Sequence, residues 1–443
     1  MTSLAIYTLL LSALLLAPLS QSKRPSSAPS ETPDVATDFD DLIKQTTVHA
    51  DADRQRPKGP SDYLSVPVAR GASVRNVTDG KGRNTILTTV LKSADILNNY
   101  YYYHNETSNR SYSGEVLAYV TPWNRKGYGM AKILAPKLTW LSPVWFQLRR
   151  EPLAAGAVAS SKQAVDIGGE HEVDSAWLEQ VRQAHAGAAG ECGAREETAT
   201  CPAAPPMYIV PRVTLETDIK RKDDITIAVD KLLSLRSKYG FDGFTLELSP
   251  NAYDITRELP ERLKAEDPTI KIVFVVPPIE VPREDPQGLL EFKKSFLELA
   301  AHVDRFSVMT YDRSKFTGES SNAPYDWVKE IVSNLVAVDN SVAGKLLMGL
   351  PMYGWRGADA MIADTMVVWL AEGQLYPETS RVLVKWLMRE REHVFVERLR
   401  GRTSSYPTPA FLYKRLQLAE EQRVAGVALW ELGQMMPYLV DMF

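Results

Sequence analysis

The chain has 443 residues, 44% of them hydrophobic, and its 51 basic and 55 acidic residues leave a net charge of -4. That is ample apolar material for a large core, and so balanced a charge excludes nucleic acid as the main partner. The length would suggest roughly three domains at about 150 residues each, yet it equally suits one barrel of 250 residues or more with extensions.

Residues 1–22 read as a signal peptide: an apolar run, Leu4–Leu16, is followed by small residues at Ser20 and Ser22, although no Lys or Arg precedes it. The run is shorter than the roughly 20 residues that span a bilayer, and no later segment reads as transmembrane. Residues 23–111 form an N-terminal extension expected to be partly disordered, since 23–61 is rich in Pro, Ser, Asp and Lys without periodicity. Ile86–Tyr103 has helical spacing and ends in the aromatic cluster Tyr100–Tyr103, which suits packing onto a core better than contact with a ligand. Sequons at Asn76, Asn105 and Asn109 would be glycosylated on a secretory route.

Eight strands are expected in residues 112–443: Val116–Pro122, Leu138–Leu148, Met207–Val213, Phe241–Leu248, Ile270–Pro277, Arg305–Tyr311, Lys345–Tyr353 and Gly426–Leu432. Between most of them apolar residues recur three and four apart, as in Ser175–Ala186, Ile225–Tyr239, Pro286–His302, Ala323–Val336 and Pro409–Arg423. Strand alternating with helix eight times predicts an α/β fold, a (β/α)8 TIM barrel. Val382–Met388 and His393–Arg398 read as a small inserted hairpin before the last helix and strand, with Arg389–Glu392 between them.

The two cysteines, Cys192 and Cys201, fall in the Gly/Ala-rich stretch Ala186–Pro206. They would close a short disulfide in an oxidising compartment or remain free thiols, and spacing does not decide. No Cys/His cluster has metal-ligand spacing, no glycine loop suits a phosphate, and the six His are scattered, so neither a metal nor a nucleotide cofactor is expected.

The most informative stretch is Asp242-Gly243-Phe244-Thr245-Leu246-Glu247-Leu248-Ser249. Phe244, Leu246 and Leu248 alternate with Gly243, Thr245, Glu247 and Ser249, so one face is apolar and the other carries a carboxylate and two hydroxyls. Such a polar face is costly to bury unless it lines a cavity. This stretch resembles the fourth barrel strand of the glycoside hydrolase family 18 chitinases and chitinase-like lectins, whose pattern is Asp-Gly-x-Asp-x-Asp-x-Glu. With the register set by Asp242-Gly243, the second Asp falls on Thr245, the third on Glu247 and the proton-donating Glu on Ser249.

The resemblance extends along the chain. Tyr119-Val120-Thr121-Pro122-Trp123 is similar to the family's first-strand motif, Met309-Thr310-Tyr311-Asp312 to the sixth, Gly349-Leu350-Pro351-Met352-Tyr353-Gly354 to the seventh, and Gly426–Leu432 to the last. It implies that Trp430 is the floor on which a sugar stacks and that Tyr311 bonds the acetamido oxygen with Asp312 beside it. By the same resemblance Glu247, in the place of the third Asp, accepts a hydrogen bond from an acetamido N–H or a neighbouring Tyr. Tyr119, Met309 and Tyr353 come from the same motifs, and Trp123 and Trp145, near two strand ends, extend the groove. Trp430 and Tyr311 would otherwise be layer-filling residues, Trp123 and Trp145 core plugs, and Glu247 a buried Glu that satisfies hydroxyls.

In the family the final Glu protonates the leaving oxygen while the substrate's own acetamido group attacks. A serine cannot donate as that acid, and losing a positioned general acid costs about 10² to 10⁴ in rate. Glu247 lies two residues earlier, about 6.6 Å back along the strand, too far to substitute fully. The resemblance therefore implies a saccharide-binding protein without useful hydrolysis. The subgroup that lacks the Glu, which the chain resembles through Ser142-Pro143-Val144-Trp145, Tyr406-Pro407-Thr408 and Trp430-Glu431-Leu432-Gly433-Gln434 as well, implies a secreted or lysosomal protein. It also implies chitooligosaccharide or endotoxin as ligand and a scavenger receptor as partner. Two alternatives stand beside this: a hydrolase using a relocated acid such as Glu431, Asp312 or Glu216, and a protein-binding scaffold with a vestigial groove.

Overall fold

The computed structural model describes residues 61, 68–71, 84, 86–104, 107–108, 110–151, 164–193, 205–216, 219, 221–248, 253–278, 285–318 and 320–443. The signal segment, Asn76, Asn105, Asn109, Cys201 and Ser249 lie outside these residues.

Eight parallel strands close on themselves. In chain order they are β1 (Glu115–Val120), β2 (Trp140–Arg150), β3 (Arg212–Leu215), β4 (Gly243–Glu247), β5 (Lys271–Val276), β6 (Arg305–Val308), β7 (Leu346–Pro351) and, after an insertion, β11 (Gly426–Trp430). Each pairs with the next, and β11 pairs with β1, as a (β/α)8 barrel requires. The helices between them include α1 (Lys126–Leu134), α2 (Ser175–Gly193), α3 (Lys222–Tyr239), α4 (Tyr253–Glu266), α5 (Pro286–Ala300), α6 (Tyr325–Val336), α7 (Ala363–Leu375) and α8 (Pro409–Glu421). Helix α2 runs through Cys192, beyond the expected end at Ala186.

The alternation in β4 has the anticipated consequence. Phe244 and Leu246 point outward into the large cluster between sheet and helices, while Thr245 points into the barrel, accepting a hydrogen bond from Ser142 Oγ (2.9 Å) and donating to the Val210 carbonyl (3.0 Å). Thr245 is thus a satisfied interior hydroxyl. Asp242, at the opposite end of the strand from the groove, accepts from the Ile209 amide at 2.7 Å. Gly243 is required by close approach, because a Cβ there would lie 1.7 Å from the Lys271 carbonyl oxygen. A second cluster, including Leu117, Tyr119, Val144, Val210, Val273 and Leu347, fills the barrel interior.

Three local expectations are corrected. The third strand is split into Tyr208–Ile209 and Arg212–Leu215, because Pro211 has no N–H to continue the ladder. Ile86–Tyr103 is not one helix. The helix covers only Ser93–Asn99, and Tyr102–His104 is a strand paired with Ala69–Gly71, in keeping with the strand preference of consecutive tyrosines. The insertion is a three-stranded antiparallel sheet, β8 (Val382–Leu387), β9 (Glu392–Glu397) and β10 (Thr403–Ser405), rather than a hairpin alone. Tyr100 and Tyr103 are buried in the main cluster, and the Tyr438 amide donates to the Tyr100 carbonyl, so this part of the extension packs on the barrel.

Candidate functional site

A cavity of about 180 Å3 opens at the carboxyl ends of the strands. Tyr119 of β1, Arg212 of β3, Glu247 of β4 and Val275 of β5 line it, with Met309, Tyr311 and Asp312 just after β6 and Trp430 at the end of β11. Six of these eight side chains are among those singled out from the sequence. Arg212 was missed, although Val213 faces the outer cluster and so puts Arg212 in the inward phase of its strand.

Arg212 dominates the electrostatics. Its Nη2 forms an ion pair with Glu247 Oε2, and its guanidinium carbon lies 4.6 Å from the Trp430 ring centre and 5.9 Å from that of Tyr119. Burial lowers the pKa of Arg212, and the same desolvation raises those of Tyr119 and Tyr311. The tyrosines are therefore neutral hydroxyls at physiological pH. Tyr119 donates to Ser307 Oγ at 2.9 Å and packs against Trp430 with ring centres 5.1 Å apart.

Asp312 is held by its neighbours. It has a left-handed backbone, φ 69°, and its amide donates to Asn322 Oδ1 at 2.9 Å. Its Oδ1 accepts from the Tyr353 hydroxyl and from Trp355 Nε1 (2.9 Å), and Lys315 approaches to 3.6 Å. Asn322 continues inward: its side chain donates to the Tyr353 carbonyl, and its own amide donates to Glu392 of β9. Glu392 meets the fully buried Arg415 of α8 at 3.3 Å. The inserted sheet is thus tied to the cavity wall through buried polar groups. Gly349 makes room for this wall, since a Cβ would meet Tyr311 Cε1 at 2.9 Å.

Three residues named from the sequence do not line the cavity. Trp145 is fully buried, bonded through Nε1 to Tyr128 and edge-on to Trp177, so it is core. Trp123 is 70% exposed, beyond the end of β1. Tyr353 is buried behind Asp312 and orients it. Of the proposed relocated acids, Glu216 is exposed outside the cavity and Asp312 is committed to its donors. Glu431 accepts from Asn124 Nδ2 (2.8 Å) and the Gly433 amide (2.9 Å), away from the cavity, and burial pushes its pKa up to about 7. Among the described residues no cluster of His, Cys, Asp and Glu is placed to hold a metal, and no helix is long and apolar enough to cross a membrane.

Residues 218–434 match the family model "Glycosyl hydrolases family 18"; this span takes in Glu247, Met309, Tyr311, Asp312 and Trp430 but neither Tyr119 nor Arg212. Solved structures share the fold. A class V chitinase from Pseudomonas fluorescens is 18% identical with a TM-score of 0.52, covering 74% of this chain and 98% of that one. A family 18 chitinase from Cycas revoluta in complex with (GlcNAc)3 is 14% identical with a TM-score of 0.51, covering 74% and 97%. The spore cortex-lytic enzyme of Bacillus megaterium is 14% identical with a TM-score of 0.52, covering 74% and 73%. The chain is a (β/α)8 barrel that shares its fold with solved chitinases and matches the glycosyl hydrolases family 18 model over residues 218–434.

Proposed function

We propose that this chain is a catalytically inactive, chitinase-like lectin that binds N-acetylglucosamine-containing saccharides in the groove at the carboxyl ends of its strands. The observation that carries the reading is the state of the two carboxylates in the cavity. Glu247 is ion-paired with Arg212, and Asp312 accepts from Tyr353 and Trp355. A general acid must hold a proton near the leaving oxygen, and a carboxylate bound to a guanidinium favours its ionised form. Ser249, at the acid position of the motif, supports the same reading.

The remaining cavity groups suit carbohydrate: an indole for the apolar face of a pyranose and neutral tyrosine hydroxyls for its oxygens. The chitinase from Cycas revoluta, solved with (GlcNAc)3 and (GlcNAc)4, supports a chitooligosaccharide as the ligand class, with endotoxin as a further glycoconjugate to try. The motif set resembles that of chitinase domain-containing protein 1, and we place the chain in that subgroup as part of the proposal. On this reading it is secreted or lysosomal, glycosylated at the sequons and partnered by a scavenger receptor. A scaffold role with a vestigial groove is the second reading, favoured by the position of Arg212 over Trp430.

Calorimetric titration with (GlcNAc)3 tests the lectin reading. Binding that disappears in Trp430→Ala is expected; binding that survives the substitution unchanged sinks the assignment of the site.

A further inference from the structure

We infer that Arg212 is the specificity-determining residue of this groove, a resident plug that lies on Trp430 where a stacked sugar would lie and must swing away to admit one. The inference rests on the saccharide-binding reading above.

Arg212 is on β3 and Trp430 on β11, two strands separated by β1 and β2, so the side chain reaches across the mouth of the barrel. Its guanidinium carbon is 4.6 Å from the indole centre, within cation–π distance. A pyranose laid on that indole face would need the same space. Tyr119, with its ring 5.1 Å from Trp430 and its hydroxyl bonded to Ser307, is fixed beside the indole.

The plug is held by few bonds. A guanidinium has five N–H donors, yet among the described residues Arg212 makes a single ion pair, with Glu247, and its buried Nε has no partner there. An unmet buried donor is costly, so the closed arrangement is not the best that Arg212 can reach, and solvent would satisfy the donors that the groove does not. What holds it closed is contact with the Trp430 and Tyr119 rings beside the pair with Glu247. The size of the cavity agrees: about 180 Å3 is small against the roughly 300–1,000 Å3 of ordinary ligand sites, and Arg212 is one of its walls.

The groove therefore has a closed state, with Arg212 on Trp430, and an open state in which the guanidinium has left the indole while still facing Glu247. A neutral N-acetylated saccharide binds the open state, and its apparent affinity is reduced by the fraction of time the groove spends open. Arg212 thereby screens ligands: only one whose stacking and hydrogen bonds outweigh the cation–π contact gains the deep site.

The test is calorimetric titration of (GlcNAc)3 into the full chain as wild type, Arg212→Ala, Arg212→Lys and the double variant Arg212→Ala/Glu247→Gln. The double variant leaves no unpaired carboxylate and keeps the test available if the single alanine variant folds poorly. The expected result is binding about tenfold or more tighter in both alanine variants, the scale of a desolvated cation–π contact, with Arg212→Lys between them and wild type. Tight binding in the alanine variants with none measurable in wild type also supports the plug. Wild-type binding that neither alanine variant exceeds overturns the plug and leaves the lectin reading standing. No binding by any of the four overturns both.

Discussion

The Arg212 guanidinium of β3 lies 4.6 Å from the Trp430 ring of β11, across the open end of the barrel, while its Nη2 pairs with Glu247 of β4. A charge held this way is stable only as part of a pair, because its partner is left uncompensated when it is removed. Arg212→Ala is expected to lower stability by about 3 kcal/mol. Arg212→Ala/Glu247→Gln is expected to lose less than the sum of the two single changes. Urea unfolding of the four proteins gives the coupling directly, and strict additivity would show that the pair is energetically idle.

Two buried groups should give this barrel opposing pH dependences. Glu431, facing Asn124, Thr121 and Gly433, has its pKa pushed up from 4.5 to about 7 by burial. The folded chain thus binds more protons there than the unfolded chain between those values, and this contribution to stability is lost as pH rises from about 4.5 to about 7. His393 runs the other way. Burial lowers it from 6.5 to about 4, so its contribution is present above 6.5 and lost as pH falls toward 4.

Relative to wild type, Glu431→Gln should therefore gain stability with rising pH across this window, and His393→Gln should lose it, each with a slope of up to about 1.4 kcal/mol per pH unit. Urea midpoints at three pH values between 4.5 and 6.5 measure both. Parallel lines for all three proteins would refute the assignment.

Asn322 joins the cavity wall to the inserted sheet. It is buried, its Oδ1 accepts the Asp312 amide, its Nδ2 donates to the Tyr353 carbonyl at 3.2 Å, and its own amide donates to Glu392. Asn322→Ala leaves a buried amide and a buried carbonyl without these partners, at about 1–3 kcal/mol, and frees Asp312 from its left-handed conformation. The expected outcome is a thermal midpoint lower by several °C together with weaker saccharide binding. A variant with wild-type affinity would show that the placement of Asp312 does not matter to the groove.

Much of this arrangement was legible in the sequence, for identifiable reasons. The two-residue period of Gly243–Glu247 separated the helix-facing Phe244 and Leu246 from the barrel-facing Thr245 and Glu247, and the structure divides them in that way. Tyr311, Asp312, Met309, Tyr119 and Trp430 converge because each sits at or just beyond the carboxyl end of a strand in a closed barrel.

What stayed hidden depends on directions that a linear pattern does not carry. Trp145 lies within β2, yet its ring turns outward against Trp177 and Phe241. Asp312 is fixed by Asn322, ten residues on, through a loop conformation with no periodic signal. Helix α4 has Pro260 inside it, which reads as a break, and helix α7, buried on most of its circumference, shows little amphipathic pattern. Arg212 was visible as a charge inside an apolar strand, but its reach to Trp430 exists only once the barrel closes.

On the lectin reading this groove binds saccharide without cleaving it. The most direct measurement is titration of the purified chain with (GlcNAc)4 by calorimetry, followed by chromatography of the same samples for shorter oligomers, for wild type and Trp430→Ala. Wild type is expected to bind, the variant to lose binding, and neither to release shortened products. Shortened oligomers that accumulate in proportion to wild-type protein, and are absent from a sample in which Trp430 is replaced, would contradict it.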